Sequence, residues 1–192
     1  MRVLGIDPGS RFLGYGVVDV RASRVHYVTS GVVRTDERAP LAPRLHTLFV
    51  ELTQVVGALE PDVVAVEGVF THKNARSALV LGHARGVALL IAAQAGLTVH
   101  EYAPARVKKA VGAGGNDGKS AVARMVERLL GLPRPLERAD AYDALAVAVC
   151  HANQARVPRL APRASTLKVA SRRADPAGFF ARLKPAVVRA AP

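Results

Sequence analysis

Val3-Leu4-Gly5-Ile6-Asp7-Pro8-Gly9-Ser10 opens the chain as a short apolar run that ends in an acid and a turn. Pro8 presets φ and Gly9 permits φ > 0, so the run stops there. Two β-rich segments follow closely, Gly14 to Val20 and Val25 to Val33, and their short connections predict three antiparallel neighbours. The period then changes: Leu41, Leu45, Leu48, Leu52, Val55, Val56 and Leu59 recur at helical spacing. Val63 to Val66 reads as a buried strand and again ends in an acid, Glu67. Ala75 to Ala95 fits a long helix, apolar on several sides, which predicts cover from a sheet and, beyond it, from either a second subunit or the rest of the monomer core. Leu97 to Tyr102 reads as a further strand, and Lys119 to Leu130 and Asp140 to Gln154 as helices. Three strands followed by alternating helices and strands define a mixed α/β sheet with helices on its faces.

The chain has 192 residues, half of them apolar and 22% charged, enough to bury a sizeable core. A formal net charge of +12 excludes an acidic solvating protein and points to a polyanionic partner. Aromatics at 5% and the absence of Trp argue against an aromatic sugar-binding surface. A single cysteine excludes an intrachain disulfide and a zinc site built on several thiolates, and fits a reducing compartment. Asp7 interrupts any signal-peptide core, and the apolar stretch Gly86 to Val99 is too short to span a bilayer and contains Gln94. The expectation is a cytoplasmic protein with no membrane partner. The charge is uneven: residues 155–192 carry nine basic groups, one acid (Asp175) and five prolines, and read as a mobile basic extension.

Chemistry is expected where the strands end. Asp7 and Glu67 each close a buried-looking strand, and ligands of open α/β sheets gather outside the carboxyl ends of strands. Asp140 and Asp143 stand three apart, so a helix carries them on one face. Around them lie Ala141, Ala144, Leu145, Val147 and Ala148, small enough to pack closely against a sheet. One carboxylate pair about 4 Å apart costs roughly 4 kcal/mol at an effective dielectric of about 20. Two divalent cations would balance four converging acids, and hard oxygen ligands favour Mg²⁺ or Mn²⁺ over Zn²⁺. Such a metal pair activates a water and stabilises the leaving oxygen of a phosphodiester. An acidic metal pocket in a basic chain fits a nuclease.

Each acid also has a plainer reading. Asp7 serves an Asp-Pro-Gly turn, Glu67 a solvated strand edge, Asp140 an N-cap and Asp143 a helix-dipole partner. Their combination in a basic chain favours the metal pocket. Ala113-Gly114-Gly115-Asn116-Asp117-Gly118-Lys119-Ser120 approaches a phosphate-binding loop. It lacks the first glycine and follows the basic segment Arg106-Val107-Lys108-Lys109, not an apolar strand. It reads better as a loop feeding a helix N-terminus, with Lys119 set against a nucleic-acid phosphate. The six histidines have no zinc-ligand spacing, and Cys150 sits in an apolar helical run as a packing residue. His151, two turns beyond Asp143, reads as a satisfied core residue or a distant support for the acids.

Taken in order, these residues resemble the RuvC family of Holliday-junction resolvases, which has the RNase H-like fold. The resemblance is carried by Leu4-Gly5-Ile6-Asp7-Pro8-Gly9-Ser10-Arg11, Gly14-Tyr15-Gly16-Val17, Glu67-Gly68-Val69-Phe70 and Lys73-Asn74-Ala75. It continues through Gly82-His83-Ala84-Arg85-Gly86, Glu101-Tyr102-Ala103, Val107-Lys108, Lys119-Ser120 and Ala139-Asp140-Ala141-Tyr142-Asp143-Ala144. It implies an RNase H-like nuclease domain over residues 1–154, with three antiparallel strands, further parallel strands and helices on both faces. The basic Pro- and Ala-rich tail over residues 155–192 matches no family motif. The resemblance implies a homodimeric endonuclease, using two Mg²⁺ or Mn²⁺ ions per site, that makes paired symmetric nicks in four-way junction DNA beside a branch-migration motor complex. By this likeness Asp7, Glu67, Asp140 and Asp143 are the catalytic, metal-binding acids. Phe70 matches an aromatic at the junction centre, Lys108 and Lys119 match phosphate-contacting lysines, and Lys73 and Arg76 are expected as further DNA contacts. Gly68 departs from the family pattern, where many members carry a larger polar residue.

Three rivals follow from the same residues. An actin-like ATPase needs two related subdomains, which 192 residues do not supply. An RNA-processing nuclease of the same fold would prefer structured RNA, and a noncatalytic junction binder would bind without nicking.

Overall fold

The computed structural model describes residues 1–22, 24–68, 75–113, 119–132 and 134–155, without the side chain of Lys119. Strand β1 (Arg2–Asp7) pairs antiparallel with β2 (Phe12–Arg21), which pairs antiparallel with β3 (Arg24–Arg34). Helix α1 (Leu41–Leu59) returns the chain to β4 (Val63–Glu67), which lies parallel to β1. Helix α2 (Ala75–Gln94) leads to β5 (Thr98–Tyr102), parallel to β4. The sheet order is β3-β2-β1-β4-β5. The short helix α3 (Pro104–Ala110) follows, then α4 (Lys119–Leu130) and α5 (Ala139–Ala155).

The middle strands are apolar on both sides, as strands covered on both faces must be. Alternate side chains leave opposite faces of a strand. Val3, Val18, Val63 and Ala65 therefore pack with Val107 of α3, Val122 and Val126 of α4 and the apolar side of α5. Leu4, Ile6, Val17, Val64 and Val66 point the other way, against Leu48 and Leu52 of α1 and Ala84, Ala88 and Ile91 of α2. Fully burying a Leu, Ile or Val contributes roughly 1.5–3 kcal/mol, so both cores are substantial. α5 is the most enclosed helix, with eleven buried residues between Ala141 and Ala152.

The basic segment Arg106 to Lys109 lies in α3, started by Pro104 in the first turn, where its missing N–H costs nothing. One expectation needs correcting. α2 is more apolar along its length than Gly86 to Val99 suggests. By length and composition it is long and apolar enough to cross a membrane, although only 22% of the relevant 18-residue window is buried. Leu79 is 64% exposed and Leu90 52% exposed, and a side chain built at Gly82 or Gly86 would meet nothing within 4 Å.

Candidate active site

Asp7 is the last residue of β1 and Glu67 the last of β4. The parallel register places Ile6 beside Val66, so the next pair along the two strands is Asp7 and Glu67. Adjacent strands run about 4.8 Å apart, so the two acids leave the sheet side by side. Both also leave it on the same face. Val3 and Val63 are turned to the α5 core, and the alternation of two carries that face to Asp7 and Glu67.

The sheet itself holds α5 over this edge. Gly14 is the register partner of Asp7, and a Cβ there would lie 2.0 Å from the Asp140 carbonyl oxygen. A Cβ on Gly5 would lie 2.1 Å from the Ala144 carbonyl oxygen, and one on Gly16 2.7 Å from the Leu145 side chain. These glycines face the helix because side chains would hold it away. They set the Asp140 backbone against the neighbour of Asp7, with Asp143 between the anchored turns at 140 and 144. Asp140 lies in the first turn of α5, which begins at Ala139, so the N-cap reading does not hold.

Among the described residues no three His, Cys, Asp or Glu side chains form a group able to hold a metal ion. Asp140 is turned to Arg138, whose Nε donates to Oδ2 at 3.0 Å and whose Nη2 pairs electrostatically with the same oxygen at 3.0 Å. The donor set is nevertheless all carboxylate, which suits a hard divalent cation, and the backbone places all four acids at one end and on one face.

Of the supports for this edge, the sequence pointed to His151 alone and gave no sign of its partner. The Gly68 N–H, directly after Glu67, donates to the Tyr102 carbonyl oxygen at 2.8 Å. The Tyr102 hydroxyl lies 2.7 Å from His151 Nδ1, tying the end of β5 to α5. Burial pushes the Tyr102 phenol up to about 12. Burial, with His100 packed 4.6 Å from its ring, pushes His151 down to about 4. His151 is thus a satisfied, neutral core histidine near pH 7. Cys150 is buried, and burial raises its thiol pKa, as expected of a packing residue.

Of the expected DNA contacts, Arg76 is exposed in the first turn of α2, and Lys108 is half-buried in the last turn of α3. Each already makes an interaction within the chain. Phe70, Lys73, the Lys119 side chain and the tail from residue 156 lie outside the described residues, as does the loop 114–118. A cavity of about 300 Å³ lined by Arg2, Asp19, Arg21, His26, Tyr27 and Val28 opens at the opposite end of the sheet. Its carboxylate is already satisfied: the Arg2 hydrogen bond at 2.9 Å, with Arg21 at 2.6 Å, holds Asp19 below the usual carboxylate range. That cavity is remote from the four acids.

A mixed five-stranded sheet with carboxylates on its two central strand ends, faced by an acid-bearing helix, is the architecture of an RNase H-like nuclease. The family model described as crossover junction endodeoxyribonuclease RuvC matches residues 3–151. The chain therefore belongs to the RuvC family. It is 59% identical over 190 residues to the crossover junction endodeoxyribonuclease RuvC of Myxococcus xanthus, covering 98% of each chain. It is 50% identical over 155 residues to that of Geobacter metallireducens, covering 81% of this chain and 94% of the relative. Its fold matches Thermus thermophilus RuvC in complex with Holliday junction substrate at a TM-score of 0.75 and 37% identity, covering 81% of this chain and 95% of the other.

Proposed function

We propose that this chain is an endodeoxyribonuclease that resolves four-way DNA junctions in recombination and repair by paired symmetric nicks. One observation carries the chemistry: Asp7, Glu67, Asp140 and Asp143 come from three elements to one end and one face of the sheet. These four residues would hold two Mg²⁺ or Mn²⁺ ions. When bound, the ions supply an activated water and charge stabilisation for the departing 3′ oxygen. The protein's own part is to fix the acids, through the glycine contacts beneath α5, and to hold the phosphodiester backbone in line. Cleavage leaves 3′-hydroxyl and 5′-phosphate ends.

Lys108, Lys119, Lys73 and Arg76 contact the DNA backbone, and Phe70 stacks near the junction centre. The basic residues 155–192 form a separate tail that adds nonspecific affinity. A second copy covers the exposed side of α2 at Leu79, Gly82, Gly86 and Leu90, so that this face meets protein and not lipid. The resulting two-fold dimer matches the two-fold junction, one cut per subunit. The enzyme works in the cytoplasm beside a branch-migration motor complex.

The test is a labelled four-way junction beside a matched linear duplex, with Mg²⁺, Mn²⁺ or chelator, and Asp7→Asn run in parallel. The expected result is paired nicks on the junction alone, dependent on metal and lost in the variant. Binding without cleavage in either metal, across junctions of varied sequence, overturns the nuclease reading.

A further inference from the structure

Beside the four acids lies a second feature that the proposed chemistry leaves unused. Phe12, the first residue of β2, is the register partner of Arg34, the last residue of β3. Phe12 stands two residues before Gly14, on the same face of β2 and just past the end of β1. The Arg138 guanidinium carbon lies 3.6 Å from the Phe12 ring centroid, and that of Arg34 lies 5.5 Å from it. Arg138 is the same residue that donates to Asp140. Two guanidinium groups and one aromatic ring thus border the acids on the β2–β3 side.

The sheet order gives this border its meaning. The acids stand on β1 and β4, in the middle of the sheet. Lys108, in the helix after β5, is the cation expected on one flank. The other flank is that of β2 and β3, where Arg34 and Arg138 stand. A phosphodiester crossing an acidic edge needs cations on both sides, because the phosphates next to the scissile one face the carboxylates. Arginine suits the task, since its planar fork pairs with phosphate through two N–H groups while its face rests on an aromatic ring. Arg138 offers that fork. The Nε hydrogen bond and the Nη2 ion pair both end on the single Asp140 oxygen Oδ2. Arg34 is exposed and has no carboxylate partner among the described residues.

We propose that Arg34, Phe12 and Arg138 form a phosphate-binding ledge for the DNA strand on the β2–β3 flank of the acidic edge. Phe12 holds the Arg138 guanidinium flat. Arg138 neutralises Asp140 in the metal-free protein and turns its fork to a flanking phosphate when Asp140 takes up metal. Both arginines are positioning residues. The ledge rests on the nuclease reading and adds to it a backbone contact that no motif in the sequence marks.

The test is binding without cleavage. The full chain carrying Asp7→Asn is titrated against a fluorescent four-way junction in Mg²⁺ over a range of salt. Arg34→Gln, Arg138→Gln and the double change are compared in that background, with thermal unfolding as a check on folding. Removing one cation from a phosphate lowers the slope of log K against log salt by about 0.9, so the double variant should drop by about 1.8. Affinity should fall at low salt, with Phe12→Leu reproducing part of the Arg138→Gln effect. If Arg138→Gln unfolds, exposed Arg34 still decides, through its own drop of about 0.9 in slope. Unchanged slope and affinity in the variants overturn the ledge while leaving the nuclease reading intact. Failure of the parent protein to bind any DNA removes both.

Discussion

Gly14→Ala should separate the placement of the acids from their chemistry. The added Cβ would stand 2.0 Å from the Asp140 carbonyl oxygen and 2.5 Å from its carbon, whereas real Cβ contacts essentially never fall below 3.0 Å. The obstructing atoms are backbone, so no rotamer change relieves the clash. The first turn of α5 must rise by about 1 Å, and a misplacement of that size costs on the order of 10²-fold in rate. Overpacking of this kind also costs roughly 1–3 kcal/mol. For a chain of this size that lowers Tm by about 2–12 °C. All four acids remain present, so a loss of cleavage reports their geometry. Gly57→Ala is the control: it lies in α1 with nothing within 4 Å of its would-be Cβ. Single-turnover cleavage of a junction in Mg²⁺, read beside thermal unfolding, measures both effects. Wild-type cleavage and an unchanged Tm in Gly14→Ala would refute the idea that this glycine sets α5 on the sheet.

Glu67→Gln should lower cleavage by more than 10²-fold, the upper range for losing a mere supporting partner of a metal ligand, while junction binding persists; cleavage within tenfold of wild type would remove Glu67 from the metal-holding set. Tyr102→Phe leaves His151 Nδ1 without its 2.7 Å partner, and should cost about 1–3 kcal/mol in denaturant unfolding. His151 also gives stability a pH dependence. Its pKa is lowered from 6.5 to about 4, so between those values the unfolded chain binds the proton and the folded chain resists it. Stability contributed by the neutral ring is full above pH 6.5, falls as pH drops toward 4, and levels off below. The loss from pH 7 to pH 5 should be about 2 kcal/mol, and the same loss in His151→Gln would assign it to another group.

The strands and long helices were legible because their apolar residues form unbroken runs or recur at helical spacing. Val63 to Val66 is an unbroken apolar run, and α1 repeats Leu at helical spacing with Leu48 and Leu52 fully buried. α3 was not legible because seven residues with one buried side chain, Val107, show no period, although Pro104 marks its start. The four acids were legible because each stands at a strand end or at helical spacing. Of their supports, only His151 was. Arg138 meets Phe12 across more than a hundred residues of chain, and Tyr102 meets His151 across 49. Neither pair leaves a local pattern. The small residues of α5 did hint at close packing, but only the sheet register identifies Gly5, Gly14 and Gly16 as the surface that receives them.

The two cores have no residue in common. The sheet therefore acts as a partition: α2, with its uncovered side, belongs to one compartment, and the acids to the other. A neighbour seated on α2 cannot repack the side chains behind Asp7 or Glu67. In the proposed dimer, such a neighbour would act on the acids through the backbone of β1 and β4, or through nucleic acid held by both copies. Synchrony between two cuts would then be a property of the shared substrate more than of a chain of touching side chains, and changes to the outer side of α2 would alter timing before they alter chemistry.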